Sequence, residues 1–483
     1  MRKISSIKRW IFKNFYPLGL ICVLVIGFIL RLHRIANPIA DWHSWRQADT
    51  AAVSRNFRDY GFDLLHPRFD DISSIPSGIE NPQGYRFVEF PIENAIHALS
   101  AKLFTNVSFE VLGRLLSVFY SLISIVLIYH LVKLHSDRQV AFLSSVLFAV
   151  TPYVVYYSRV ILPEPLIVTV SLLSLLVFSF YCNKPSTRNL ILSILSFSCL
   201  LLLKAYMAIF VIPLGYLVFH KFGPSFYKRK KLILALVVAF LPFVFWFFWA
   251  KQFPEGIPFF KWAFNGDHIR FRPSFFYWIF GVRIGTLILG VWGTVLLTFG
   301  LLHCIKNRHF FFLWWAIGIL SYLVIVATAN VKHDYYQVIA SPILLIMVAF
   351  GVKELWERTI TEKFIATFSL FMMLLVGWKN IEGYYQINHP EIVEAGQRAD
   401  QILPKDARII APYGADTAFL YQTKRKGWPY VTLPINELIE KGASYYVSVN
   451  FDDQTNAYMK EYTVIEKTPK YVIIKLEKPS DRP

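Results

Sequence analysis

The chain has 483 residues, of which 55% are hydrophobic and 17% aromatic, and carries 50 Lys and Arg against 32 Asp and Glu for a formal net charge of +18. A water-soluble fold of this length cannot hide so much apolar surface, because the ratio of surface to volume limits what folding can bury. The positive excess would point to nucleic acid if it were gathered on a soluble face; instead it is dispersed among short connections between apolar runs, which excludes that class.

The first thirty residues, MRKISSIKRWIFKNFYPLGLICVLVIGFIL, join a basic stretch to an apolar core, as a signal peptide does. The following RLHRIANPIA is basic and offers no convincing small-x-small cleavage site, so the segment reads as a retained first helix. A hydrocarbon core of ~30 Å needs roughly 20 apolar residues in helix. On that measure eleven spans are expected, at about 15–31, 110–133, 139–158, 163–181, 189–203, 206–221, 232–250, 284–303, 309–328, 336–352 and 363–380.

Lys and Arg fall on alternate connections. They comprise Arg2, Lys3, Lys8, Arg9 and Lys13 before the first span, then Lys133 and Arg138, Lys184 and Arg188, Lys228 to Lys231, Lys306 and Arg308, and Lys353, Arg358 and Lys363. The positive-inside rule sets these on the cytoplasmic side. The expected protein is therefore an α-helical, multi-pass cell-membrane protein (inner membrane if Gram-negative) with a cytoplasmic N-terminus. A first loop, about 32–109, and a tail, about 385–483, lie outside.

The composition changes sharply at the tail, giving a membrane domain 1–384 and a soluble domain 385–483. In the tail, ARIIAP, SYYVSVN and KYVIIKLEK read as strands, and PEIVEAGQRADQIL and INELIEKG as helices, which suggests a small extracytoplasmic α/β domain. Cys22, Cys182, Cys199 and Cys304 sit in or beside apolar runs without metal or disulfide spacing and read as packing residues. There is no internal repeat.

Ionisable residues collect on the outer connections, where charge beside hydrocarbon is costly and marks function. In the first loop, Ser44 can cap a helix running through Arg46 and Asp49 to about Asp59, and residues three apart share a face. Asp41 precedes that helix, and Glu89 precedes Phe90-Pro91 and an amphipathic helix. Glu164 lies between two prolines at an outer turn, Lys204 in the tight turn after the fifth span, and His333 with Tyr335 at the mouth of spans nine and ten; Arg270 stands in the 251–283 loop. Carboxylates beside cations suit chemistry on an anionic lipid headgroup: the cations hold phosphate oxygens and a carboxylate takes a proton from the acceptor. The bland alternatives are surface ion pairs, a helix cap at Glu89, a snorkelling Lys204 and an interfacial aromatic belt.

Five stretches, HSWRQADTAAVSRNF, RFVEFPIENAIHAL, PYVVYYSRVILPEP, LLLKAYMAIFVIPL and KHDYYQVIASPILL, together resemble the polytopic GT-C glycosyltransferases. The resemblance is to the branch (family 39-like) holding the protein O-mannosyltransferases and the lipid A aminoarabinose transferase. It implies a GT-C-like fold, a sugar donor carried on a polyprenyl phosphate, and inverting transfer of a hexose or pentose to a glycan, lipid or protein at the outer face. The family's usual Asp-Glu register falls here on Arg46-Gln47, so Asp49, one turn on, is its substitute and Asp41 the reserve. Glu89 matches the acid of a Phe-Glu-Lys-Pro step in which Phe90 replaces lysine, and Glu164 stands where the family has aspartate. Lys204 matches a lysine, and His333 with Tyr335 a His-x-Tyr-Tyr step. The expected roles are Asp49, Glu164 and Glu89 in catalysis, with Arg46, Lys204, His333, Tyr335 and Arg270 on the donor phosphate. No cofactor is required; a divalent cation is compatible with the oxygen-rich face, with Glu89 and His333 as candidate ligands. A transporter or lipid flippase is the alternative, and it would call for inverted repeats and midplane charges.

Overall fold

A computed structural model describes the backbone of residues 2–477 and the side chains of residues 16–477. The basic side chains of Arg2, Lys3, Lys8, Arg9 and Lys13 lie outside the described residues. Among those described, six helices are long and apolar enough to cross a membrane: Phe109–His135, Glu164–Asn183, Ala205–Lys228, Lys230–Ala250, Asp334–Trp356 and Ile360–Ile402. A seventh span results if Pro273–Ile288 and Gly293–Lys306, bent by 108° at their junction, count as one.

Three of the remaining four expected spans are apolar helices too short for that measure, Arg138–Val150, Thr187–Leu203 and Phe310–Ile325, and the fourth is part of helix Arg2–Arg31, whose described side chains begin at Tyr16. Eleven runs of one apolar character thus become helices of unequal length. The breaks have local causes. Pro152 opens a new helix after extended Thr151, Lys204 is extended with φ −160°, and Gly290 and Val291 adopt left-handed φ of 50° and 62°. Helix is the economical form for these runs because it satisfies every backbone group within the segment.

Contacts divide the chain into two units. The first comprises residues 1–35, 115–244 and 261–383 and holds the helical bundle. Its connecting turns carry caps as well as basic residues: Asp137 accepts from the backbone N–H of Gln139 and Val140, Ser186 from that of Asn189, and Thr359 with Glu362 forms a capping box. A close helix crossing in the bundle joins Gly293–Lys306 to Ser341–Trp356. A Cβ on Gly300 would lie 1.7 Å from the Met347 carbonyl oxygen, and one on Gly351 1.9 Å from that of Leu296. Only glycine allows two backbones this near.

The second unit comprises residues 36–114, 245–260 and 384–483. Its tail holds strands β1 (Arg408–Ile410), β2 (Gly427–Trp428), β3 (Ala443–Ser448), β4 (Thr463–Lys467) and β5 (Val472–Lys475). They form one mixed sheet in the order β2-β1-β3-β5-β4, with β1 parallel to β2 and β3, and β5 antiparallel to β3 and β4. The expected strands in ARIIAP, SYYVSVN and KYVIIKLEK correspond to β1, β3 and β5, and helices Pro390–Ile402 and Ile435–Glu440 fall where read.

The first loop closes the β2 edge. Ile72 N–H donates to the Gly427 carbonyl at 2.9 Å, and Gly427 N–H to the Asp70 carbonyl at 3.0 Å. Ile72 then joins Ile410, Trp428, Leu438, Tyr446 and Ile474 in the sheet's apolar core. An otherwise open strand edge is thereby paired. Loop and tail are one folded body.

Candidate active site

In the second unit, the first-loop helix runs over Ser44–Tyr60. Its cap position is His43 in the left-handed region with φ 58° and no side-chain cap, so Ser44 is the first helical residue and not the expected cap. Arg46 and Asp49 both line a small cleft, yet they do not pair with each other. Arg46 Nη2 donates to Glu89 Oε1 at 2.5 Å, and Arg86 Nη2 to Asp49 Oδ2 at 2.5 Å. The other oxygen of Asp49 accepts from Thr417 Oγ1 at 2.7 Å. Thr417 opens the tail helix Thr417–Thr423 and is 368 residues away in sequence. Asn94, on helix Ile92–Leu103, lines the cleft and fixes the first-loop helix by donating to the Thr50 carbonyl at 2.7 Å.

The four charged side chains of the two ion pairs are at most 11% exposed. The cleft between them holds about 20 Å³, room for roughly one water. Two cations balance two anions, and Glu89 Oε2 is buried without a hydrogen-bond partner among the described residues. Glu89 does not cap the following helix, whose cap position is Pro91. Beside Thr417, the Asp416 carboxyl is pushed up to about 6, by burial first and then by the negative charge of Asp49. Asp41 is fully enclosed, accepting from Gln47 Nε2 at 2.8 Å and from Arg114 Nη2 at 3.2 Å. Those bonds tie the entry of the first-loop helix to the first turns of helix Phe109–His135.

The first unit carries a second constellation. Glu164 is the first residue of helix Glu164–Asn183 and forms a buried ion pair with Lys204. Lys204 Nζ also faces three rings, at 5.6 Å from Tyr206, 5.9 Å from Tyr335 and 5.3 Å from Tyr336. A cation so caged is held in place rather than snorkelling. Glu164 Oε2 is buried with no hydrogen-bond partner among the described residues. His333 stacks on Tyr335 and Tyr336 and meets the edge of Trp262 at 5.6 Å. Asp334 accepts from the Tyr157 hydroxyl at 2.6 Å and faces Arg283 at 3.9 Å. Arg270 Nη2 donates to the carbonyls of Ile325 at 2.8 Å and Phe264 at 3.1 Å, closing the end of helix Phe310–Ile325.

The expected residues thus form two groups: Asp49, Glu89 and Arg46 with Asp41 nearby, and Glu164, Lys204, His333 and Tyr335. Arg86, Thr417 and Tyr157 complete them without having been singled out. Arg86 lay within the RFVEF stretch, three residues before Glu89, whereas a single threonine opening a tail helix gave no signal. Among the described residues no three His, Cys, Asp or Glu side chains gather to hold a metal ion. Glu89 engages Arg46 and His333 stacks among rings, so the side chains do not form a ready ligand set.

Residues 89–249, about a third of the chain, match the family described as dolichyl-phosphate-mannose-protein mannosyltransferase. No curated protein sequence matches the chain. Among solved structures, the fold resembles ArnT from Cupriavidus metallidurans bound to undecaprenyl phosphate. That likeness has a TM-score of 0.67 at 13% identity and covers 97% of this chain and 99% of that one. The Archaeoglobus fulgidus oligosaccharyltransferase in complex with Zn and sulfate is similar with a TM-score of 0.56 at 12% identity, over 89% of this chain and 67% of that one.

Proposed function

We propose that the chain is a polytopic membrane glycosyltransferase that takes a sugar from a polyprenyl-phosphate carrier and transfers it to an acceptor at the outer face. The family match over residues 89–249 and an end-to-end likeness to a polyprenyl-phosphate-bound protein support this reading. The observation that carries it is the pairing of acids with cations in two buried groups, the first of which reaches into the matched segment through Glu89. In this proposal all eleven apolar helices cross or enter the bilayer, the N-terminus is cytoplasmic, and the loop–tail unit lies outside.

The chemistry is a single displacement. An acceptor oxygen or nitrogen attacks the anomeric carbon, the carbon–oxygen bond to phosphate breaks, and the configuration inverts. Polyprenyl phosphate leaves with the electron pair, and the acceptor's proton passes to a carboxylate. Each unit offers its own candidate groups. In the second, Asp49 is the candidate base, with Glu89 supporting the acceptor and Arg46 available to phosphate; in the first, Glu164 is the candidate base, with Lys204, His333, Tyr335 and Arg270 supplying charge and hydrogen bonds for phosphate. No step is routed through a metal.

As folded, Asp49 and Glu89 are neutralised by arginines in a cleft that admits little more than water. Substrate must therefore exchange for at least one of these pairs, and a phosphate competes directly for a guanidinium. The test is transfer in membranes supplied with lipid-linked sugar. Asp49→Asn and Glu164→Gln are each expected to lower turnover by about 10²-fold or more, the scale of a lost proton acceptor. Near wild-type turnover in both variants would remove the mechanism. Mass spectrometry of lipid-linked sugars that accumulate without the protein would identify the donor.

A further inference from the structure

The first unit contains a large apolar groove, about 830 Å³ in volume, at the end of the bundle remote from Glu164 and Lys204. Its walls include Phe178, Phe197, Gly215, Phe226 and Trp314. On helix Glu164–Asn183 the groove begins at Ser174, ten residues beyond Glu164, or about 15 Å at the helical rise. It is thus separate from the charged constellation.

Phe226 belongs to the connection GPSFYKRKK, which continues into Lys228, Arg229, Lys230 and Lys231. All four basic residues are exposed, and among the described residues none pairs with a carboxylate. The groove is cut between the helices Ala205–Lys228 and Lys230–Ala250, two of the least enclosed spans. A cleft of this volume in hydrocarbon surroundings forfeits contacts unless a chain fills it.

We propose that the groove holds the acyl chains of an anionic glycerophospholipid, whose headgroup phosphate is received by the Lys228–Lys231 cluster. Clustered basic residues beside a membrane span are suited to acidic headgroups, and an apolar trough beneath them accommodates the chains of the same molecule. This site is independent of the transfer reaction and stands whether or not that reading holds.

Gly215 supplies a clean test, because a Cβ there meets nothing within 4 Å and a larger side chain can grow into the groove. The full chain in mild detergent is titrated with phosphatidylglycerol and phosphatidylcholine of identical acyl chains and read by native mass spectrometry. Wild type is expected to retain one phosphatidylglycerol about tenfold better than phosphatidylcholine. Gly215→Phe should lose that retained lipid. Replacing Lys228, Arg229, Lys230 and Lys231 together with Gln should keep lipid binding but abolish the preference. Where Gly215→Phe fails to assemble, Gly215→Leu reads the same loss. Equal retention of the two lipids by wild type, or unchanged retention in the Gly215 variant, would overturn the proposal. So would recovery of a polyprenyl phosphate as the tightly held species, since the groove would then serve the donor's tail.

Discussion

Burial, outweighing the more weakly felt Arg86, sets the behaviour of Asp71. It is 2% exposed, accepts from the Ser73 backbone N–H at 2.8 Å, and has its carboxyl raised from the ordinary 3.8 to about 6, chiefly by burial. A raised acid binds more protons folded than unfolded. It costs no stability below about pH 4, an increasing amount as pH climbs from 4 to 6, and its full ~3 kcal/mol above that. Asp71→Asn keeps the acceptor oxygen and removes the charge. Its thermal midpoint should rise relative to wild type at pH 7.5, by the equivalent of about 1–3 kcal/mol, and coincide with wild type near pH 4. An equal gain at both pH values would show that ionisation is not the cause. Asp49 and Glu89 contrast with Asp71: each is in a direct ion pair with an arginine, and removing Arg86 or Arg46 strands a buried carboxylate at a cost of about 3–5 kcal/mol.

At the scale of elements, the crossing at Gly300 and Gly351 is the most sensitive place in the bundle. Gly351→Ala would force the two helices apart against carbonyl oxygens, costing about 3 kcal/mol or more, and should sharply lower the yield of folded protein. Gly377→Ala is the control, since its Cβ would meet only Pro152 at an ordinary 3.5 Å, and it should express normally. Comparable losses in both variants would rule out backbone proximity as the cause. Apolar runs and basic turns were legible in the sequence because hydropathy and charge are local properties. Helix length was not, since the breaks at Thr151, Lys204 and Gly290 depend on one or two residues each. The tail strands β1, β3 and β5 were readable from their apolar faces. β2 has only two residues and β4 is mostly exposed, so neither carries such a pattern.

For the whole molecule, the telling contacts are those between residues distant in sequence. The acids and cations could be nominated one by one, but their pairing could not: Arg86 reaches Asp49 across 37 residues and Thr417 across 368. Thr417 therefore makes the tail a contributor to the candidate site. Thr417→Val removes a hydrogen bond to a carboxylate, worth about 1.5–3 kcal/mol, and should lower transfer about tenfold or more, whereas Thr417→Ser should restore most of it. Unchanged transfer in Thr417→Val would make that bond incidental to activity.

The joint made at Gly427 reaches further than one hydrogen-bond ladder. Because residues 70–72 run alongside β2, neither partner carries its own complete border. Chimeras that exchange only the C-terminal hundred residues between relatives would bring together mismatched borders and fail to mature, while a swap that also transplants residues 36–114 would preserve the seam.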